Sequence, residues 1–180
     1  MNFKLLSLRI KERIYQLQHR DTMNIKIEKY RLSGMKIGGG CRIFSTLSTP
    51  EPYLIEIGNN VTISTGVNLI THDNCAIKCF EHATDFVGSI KIGSNCFIGA
   101  GVIILPGVRI ADNVIIGAGS VVTKSLLEAG AIACGNPAKP IGSVELLKEK
   151  YCDKPFCFRG LNCSQKRQLI LNNPEKWIQK

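Results

Sequence analysis

Between Ile92 and Val122 every sixth residue is Ile or Val: Ile92, Ile98, Ile104, Ile110, Ile116 and Val122. A second column of small or apolar residues runs four positions behind, through Cys96, Val102, Val108, Val114, Ser120 and Leu126. An internal repeat of this kind restricts the architecture more than any compositional feature. Six residues advance a helix by about 600°, so the isoleucines would point in three directions around it. A period of six suits a strand, where side chains alternate. One flat strand fails too, because the intervening column reads Ser94, Ala100, Pro106, Asp112, Ala118, Lys124. The chain must turn between the two apolar columns, and the residues there are turn formers, such as Gly99-Ala100-Gly101, Pro106-Gly107 and Gly117-Ala118-Gly119.

Each hexad therefore supplies one short strand and one corner of a triangle. Three hexads make an 18-residue coil, and stacked coils make a parallel β-helix. Its core is a column of Ile and Val, each contributing roughly 1.5–3 kcal/mol when fully buried. The repeat extends upstream through Ile37–Arg42, Ile43–Ser48, Ile57–Thr62 and Ile63–Asn68. Residues 49–56 interrupt it. The next hexad, Leu69-Ile70-Thr71-His72-Asp73-Asn74, places Asp73 in an inward column, and residues 75–89 read as an excursion loop.

The pattern resembles that of the hexapeptide-repeat acyltransferases over residues 34–142. The segments Ile116-Gly-Ala-Gly-Ser-Val-Val-Thr-Lys124 and Gly135-Asn-Pro-Ala-Lys139-Pro-Ile carry the resemblance. It implies a left-handed parallel β-helix, an all-β fold with flanking N- and C-terminal helices. The hand comes from the family alone, since physical preference favours right-handed crossovers. Three segments are expected: a helical stretch over 1–33, the β-helix over 34–142, and a helical tail over 143–180.

The net charge of +9 is carried by the flanks. Residues 1–33 hold eight Lys/Arg against three acids and residues 139–180 nine against four, whereas residues 34–138 hold six against seven. Basic flanks suit cofactor phosphates, an anionic glycan or an acidic membrane surface, or are simply solvated helix faces. Aromatics make up 7% of the chain and no nucleic-acid motif appears, so nucleic acid is not an expected partner. The absence of a long apolar run or a signal-peptide pattern makes cytoplasmic residence the expectation. Eight cysteines show no paired C-x-x-C spacing, so reduced thiols and no metal site are expected, with Cys41 and Cys96 as small inward residues.

Leu6, Ile10, Ile14 and Leu17 share one face of an N-terminal helix, read as a cap over the open coil or, alternatively, as a membrane contact. His19 reads as a surface residue at its end. Ser143 and Ser164 are expected caps of two C-terminal helices, with a last turn at Pro174. The outward positions Phe97, Ile103, Arg109, Ile115, Val121 and Leu127 are apolar in five of six cases. An 18-residue stack pairs Phe97 with Ile115, Ile103 with Val121 and Arg109 with Leu127. Two apolar stripes predict an oligomer or a partly apolar groove, and the resemblance implies a homotrimer.

His72 lies in the hexad that breaks the repeat, directly before the one long loop. Rules fail most often at functional sites, and His72-Asp73 after Leu69-Ile70-Thr71 resembles the family's catalytic histidine segment. The resemblance implies acyl transfer from acetyl-CoA to a hydroxyl, with His72 as general base. Asp73 either orients His72 or an acceptor hydroxyl, or only caps local backbone. The loop residues Glu81, His82 and Asp85, with Asn68, are expected to bind the acceptor. The resemblance places Phe97 near the acyl group, the small corners Gly99, Ala100, Gly117 and Ala118 along the pantetheine arm, and Lys124 and Lys139 at the phosphates of the co-substrate.

The function this implies is an O-acetyltransferase acting on a sugar or surface-polysaccharide precursor, its acceptor a small molecule or oligosaccharide. An N-acetyltransferase of a nucleotide-linked amino sugar, or an antibiotic-type acetyltransferase, is the alternative. A γ-type carbonic anhydrase would need a zinc-binding histidine set that is missing after His82, and a non-catalytic scaffold would have no use for the closing segment.

Overall fold

The computed structural model describes residues 3–18 and 21–178; His19 lies outside them. By internal contacts the chain divides into two compact units, Met1–Val144 and Glu145–Lys180.

The first unit is a three-sided coil. One face stacks Lys36–Ile37, Ile55–Ile57, Ile90–Ile92 and Arg109–Ile110; the next stacks Arg42–Ile43, Thr62–Ile63, Phe97–Ile98, Ile115–Ile116 and Ala131–Gly135; the third stacks Asn68–Leu69, Ile103–Ile104 and Val121–Val122. The chain visits the faces in turn, and every neighbour in these stacks pairs parallel. The last rung ends differently, with Ala131–Gly135 turning back antiparallel on Ala138–Ser143.

Both expected columns point inward. Ile98, Ile104, Ile116 and Val122 have no exposed surface, and Cys96, Val102, Val108, Val114 and Ser120 are buried with them. Ser120 stays satisfied there, donating to the Gly117 carbonyl at 2.7 Å and accepting from the Gly135 N–H at 3.1 Å. Corners stack on corners, so their residues are small. A Cβ on Gly99 would come within 2.6 Å of the Ala118 nitrogen, and one on Gly117 within 2.8 Å of the Cys134 Cβ. At a neighbouring corner the left-handed position is filled in register by Gly40 and then by Asn60, Asn95 and Asn113, the residue types that tolerate it.

Ile103 lies opposite Val121 and Phe97 opposite Ile115, the 18-residue step read from the repeat. Two steps are longer. Lys36 faces Glu56 across 20 residues, and Glu56 faces Lys91 across 35. Relative to 18, the interruption at 49–56 thus adds two residues and the excursion seventeen, and neither shifts the phase of the core. One expected pairing is wrong. Arg109 does not meet Leu127; Ile110 meets Leu126, 16 residues on. The rung is shortened because the Ser125 hydroxyl accepts the Arg109 N–H at 3.0 Å, replacing a backbone carbonyl.

The open end of the coil is closed by a helix, but not by the expected one. Helix α1 (Phe3–Leu17) has no buried residue, so the Leu6/Ile10/Ile14/Leu17 face is not the cap. Helix α2 (Met23–Leu32) takes that role: it buries Ile25 and Ile27, the latter in the same apolar cluster as Met35 and Ile37. Its Tyr30 hydroxyl accepts the Leu47 N–H at 3.0 Å and reaches the Ser45 carbonyl at 3.2 Å, anchoring the chain where it enters the 49–56 interruption.

In the second unit, α4 (Cys163–Leu171) begins at a capping box between Asn162 and Gln165, so Asn162 is the cap and not Ser164. It follows α3 (Val144–Lys150), which starts directly after Ser143. A turn at Pro174–Lys176 brings the Trp177 indole N–H onto the Ile170 carbonyl at 3.1 Å. All eight cysteines are free.

Candidate active site

The two insertions in the coil meet. The third face ends at Asn68–Leu69, Thr71 is still buried, and the chain then leaves the prism. His72–Asp73 pairs antiparallel with Phe86–Val87, so the excursion folds back on its own base. The Gly88 N–H closes the neck on the Thr71 carbonyl at 2.9 Å. A Cβ at Gly88 would lie 2.4 Å from the Gly107 nitrogen of the next coil, so only glycine fits that closure.

Against this base sits Glu51, from the 49–56 interruption. Its Oε2 is 2.9 Å from His72 Nδ1 and accepts the Thr71 hydroxyl at 2.7 Å. Thr71 also contacts the Thr49 hydroxyl, which accepts the Glu51 N–H at 3.3 Å. One consistent donor chain follows: Glu51 N–H to Thr49, Thr49 to Thr71, Thr71 to the Glu51 carboxylate. The bonds from Thr71 and then His72 hold Glu51 below its ordinary carboxylate range, so it is ionised. An ionised carboxylate only accepts; His72 Nδ1 therefore carries the proton toward it and Nε2 is left as the basic nitrogen. The Glu51 hydrogen bond and charge raise the imidazole above its ordinary value. The ring remains about one-third exposed, so a substrate proton can reach it.

Asp73 is exposed, not inward. The hexad ends once the chain leaves the coil at Thr71, and Asp73 Oδ1 instead accepts the Cys75 N–H at 2.9 Å, capping the 3-10 turn Asn74–Lys78. That bond lowers its pKa, with His72 a minor contributor. Of its two readings the geometry realises the local cap, on the surface. Asp85 is held near the neck by the Asn74 amide at 3.3 Å, and its charge also raises the His72 pKa. Glu81 and His82 lie about nine-tenths exposed at the far side of the excursion, 3.9 Å from one another, and the structure does not bring them to His72. Asn68 faces outward on the third face and donates to the Gly66 carbonyl at 3.2 Å.

Prism edges sort the remaining residues. Leu69, Ile104 and Val122 stack, so the segments following them share an edge: Thr71-His72, then Pro106-Gly107, then Thr123-Lys124. Lys124 is two coils above Thr71, about 10 Å at the usual strand spacing. It lines a cleft of about 460 Å3 with Lys139, whose walls include Leu126, Leu127, Pro137 and Pro140. The two lysines, 15 residues apart in the chain, thus line the same cleft. Gly99, Ala100, Gly117 and Ala118 lie on a different edge, between the second and third faces, and Phe97 stands on the second face, 43% exposed. Within one chain these five are not assembled with His72. Among the described residues, no three His, Cys, Asp or Glu side chains converge as a metal would require.

Glu51 went unread in the sequence. Its one signal was that the interruption at 49–56 falls one coil below the His72 hexad, so two breaks in one repeat share an edge.

A triangular parallel coil built from six-residue rungs is the architecture of the hexapeptide-repeat class. The bacterial transferase hexapeptide family (six repeats) matches residues 89–124. Protein CapG of Staphylococcus aureus is 44% identical over 155 residues, covering 83% of this chain and 89% of CapG. Galactoside O-acetyltransferase of Escherichia coli K12 is 33% identical over 125 residues, 69% of this chain and 61% of that enzyme. The crystal structure of a maltose O-acetyltransferase from Clostridium difficile 630 superposes with a TM-score of 0.54 at 26% identity, over 77% of this chain and 84% of that one. The chain belongs to the hexapeptide-repeat acyltransferase family and is an acyltransferase, similar to the family's sugar O-acetyltransferases.

Proposed function

We propose that this enzyme transfers an acetyl group from acetyl-CoA to a hydroxyl of a sugar or surface-polysaccharide precursor, with His72 as general base and Glu51 as its positioning residue. The observation that carries the reading is the 2.9 Å contact between Glu51 Oε2 and His72 Nδ1, which leaves Nε2 free to take the acceptor proton. The hydroxyl oxygen attacks the thioester carbon as its proton passes to Nε2. Collapse of the tetrahedral intermediate expels the thiolate, to which the imidazolium returns the proton. No covalent enzyme intermediate is needed, and alignment of the two bound substrates supplies much of the rate.

Lys124 and Lys139 are assigned to the phosphates of acetyl-CoA, because both residues line one cleft and Lys124 lies on the His72 edge. The coil is taken as left-handed, as the family resemblance implies. The working form is assigned as a homotrimer in the cytoplasm, where acetyl-CoA is available and free thiols persist. In a threefold ring a neighbour's Gly99-Ala100 and Gly117-Ala118 corners would meet this chain's His72 edge, and the pantetheine arm would run between them. That arrangement accounts for site residues lying on two different edges of one prism. Asp85, near the neck, and the outward Asn68 are assigned as acceptor contacts.

The test is release of free thiol from acetyl-CoA on addition of each member of a panel of sugars and oligosaccharides. Turnover with at least one hydroxyl acceptor, lost in His72→Ala, supports the reading. Turnover only with amino sugars would assign the N-acetyl alternative, and an unchanged rate in His72→Ala would remove the mechanism.

A further inference from the structure

Helix α1 is mounted with its apolar stripe facing away from the protein. Phe3, Leu6, Ile10, Ile14 and Leu17 fall within about 80° of one another on the helix, and all are exposed, from 39% at Leu6 to 82% at Phe3 and Leu17. The less exposed positions, Leu5, Leu8, Glu12 and Tyr15, lie on the opposite side. Two ion pairs to α2 set this rotation: Glu12 with Lys29 at 2.7 Å and Lys4 with Glu28 at 3.3 Å. The half-buried side carries Leu5, Leu8 and Tyr15 with Glu12, so the exposed stripe is a second apolar face left uncovered.

The charges are arranged to match. Arg9 and Arg13 border one side of the stripe and Lys11 the other, while Glu12 is turned inward to Lys29 and Lys4 to Glu28. The exposed surface of α1 is therefore apolar along its centre and cationic along both margins. That pattern fits an interface between anionic headgroups and acyl chains, with the helix axis in the membrane plane. A second protein copy would have to bury the two cationic margins, and a second α1 would oppose them with like charge.

We propose that α1 is an in-plane membrane anchor: Phe3, Leu6, Ile10, Ile14 and Leu17 enter the headgroup–acyl boundary of an anionic lipid surface while Arg9, Arg13 and Lys11 contact the headgroups. No helix of the described residues is long and apolar enough to cross a membrane, so the contact is peripheral and reversible. The anchor is independent of the acetyl-transfer reading, because no α1 residue belongs to the site.

The experiment is flotation of the full chain with phosphatidylcholine vesicles and with vesicles containing phosphatidylglycerol, at low and high salt. The protein is expected to float with the anionic vesicles at low salt and to be released by high salt. The double variant Ile10→Ser/Ile14→Ser is expected to abolish flotation, and Arg9→Gln/Arg13→Gln to weaken it about 30-fold, taking each basic side chain at its usual contribution. All four substitutions lie on exposed surface; unchanged melting curves would show that lost flotation is not unfolding. Failure of the wild-type protein to float with anionic vesicles would overturn the anchor. So would a drop in solution mass in the Ile10→Ser/Ile14→Ser variant, which would make the stripe a contact between copies.

Discussion

At the scale of residues the site rests on a single carboxylate. Glu51 holds the His72 tautomer, and its ionisation is secured by Thr71 before His72 contributes. His72→Ala is expected to lower kcat/KM by about 10²–10⁴ in the thiol-release assay, the usual contribution of a positioned base. Glu51→Gln leaves the imidazole in place but loose, and a loss of about 10²-fold, mainly in kcat, is expected. The same pair makes stability depend on pH. His72 has a raised pKa, so its contribution is full below the ordinary value of 6.5 and fades as pH climbs through the raised one. Glu51 has a lowered pKa, so its contribution is full above the ordinary 4.5 and fades as pH falls through the lowered one. The pair therefore stabilises most between those two ordinary values, and melting temperatures of Glu51→Gln should fall furthest below wild type in that window. His72 was legible because it breaks a strict period. Glu51 was not, because a two-residue insertion in the preceding coil looks like a weak repeat until register shows what it faces. Asp73 leaves its expected inward column because the chain departs from the prism at Thr71, before the hexad is complete.

At the scale of elements, the rungs were legible wherever side chains alternate and corners need small residues. They failed where a side chain replaced backbone, as Ser125 does opposite Arg109. The helical flanks were harder. Ile25 and Ile27 stand two apart, a spacing that no helical face repeats, and of the two only Ile27 joins the apolar cluster of the coil; the regular stripe of α1 is the stronger pattern but packs on nothing among the described residues. The excursion is closed at Gly88, and this neck is sensitive to any side chain. Gly88→Ala sets a Cβ against Gly107 backbone rather than a flexible side chain and is expected to destabilise by roughly 1–3 kcal/mol, read by denaturant unfolding. Because the excursion base carries His72, the same substitution should lower activity even at temperatures where the protein stays folded.

For the whole molecule, one face of the prism is charged, with Lys36, Glu56, Lys91 and Arg109 in a column and Glu56 paired to Lys91 at 3.6 Å. The other two present Phe97, Ile115 and Ile132, and Ile103 and Val121. Sedimentation should therefore return three times the chain mass, and Ile103→Asp should return the mass of one chain with acetyl transfer lost, since a charge on that stripe cannot be buried unpaired. The stacking order of the faces followed from the repeat; which edges carry which site residues did not, since that depends on how many residues each break inserts. The proposed mechanism depends on Glu51 making His72 the base that meets the acceptor. The pH dependence of kcat/KM for thiol release, compared between wild type and Glu51→Gln, tests this most directly. A raised His72 pKa puts the acid limb of the wild-type profile above the ordinary histidine value, and removing Glu51 should move that limb to lower pH while the plateau falls. Coincident limbs, or a shift to higher pH, would contradict it.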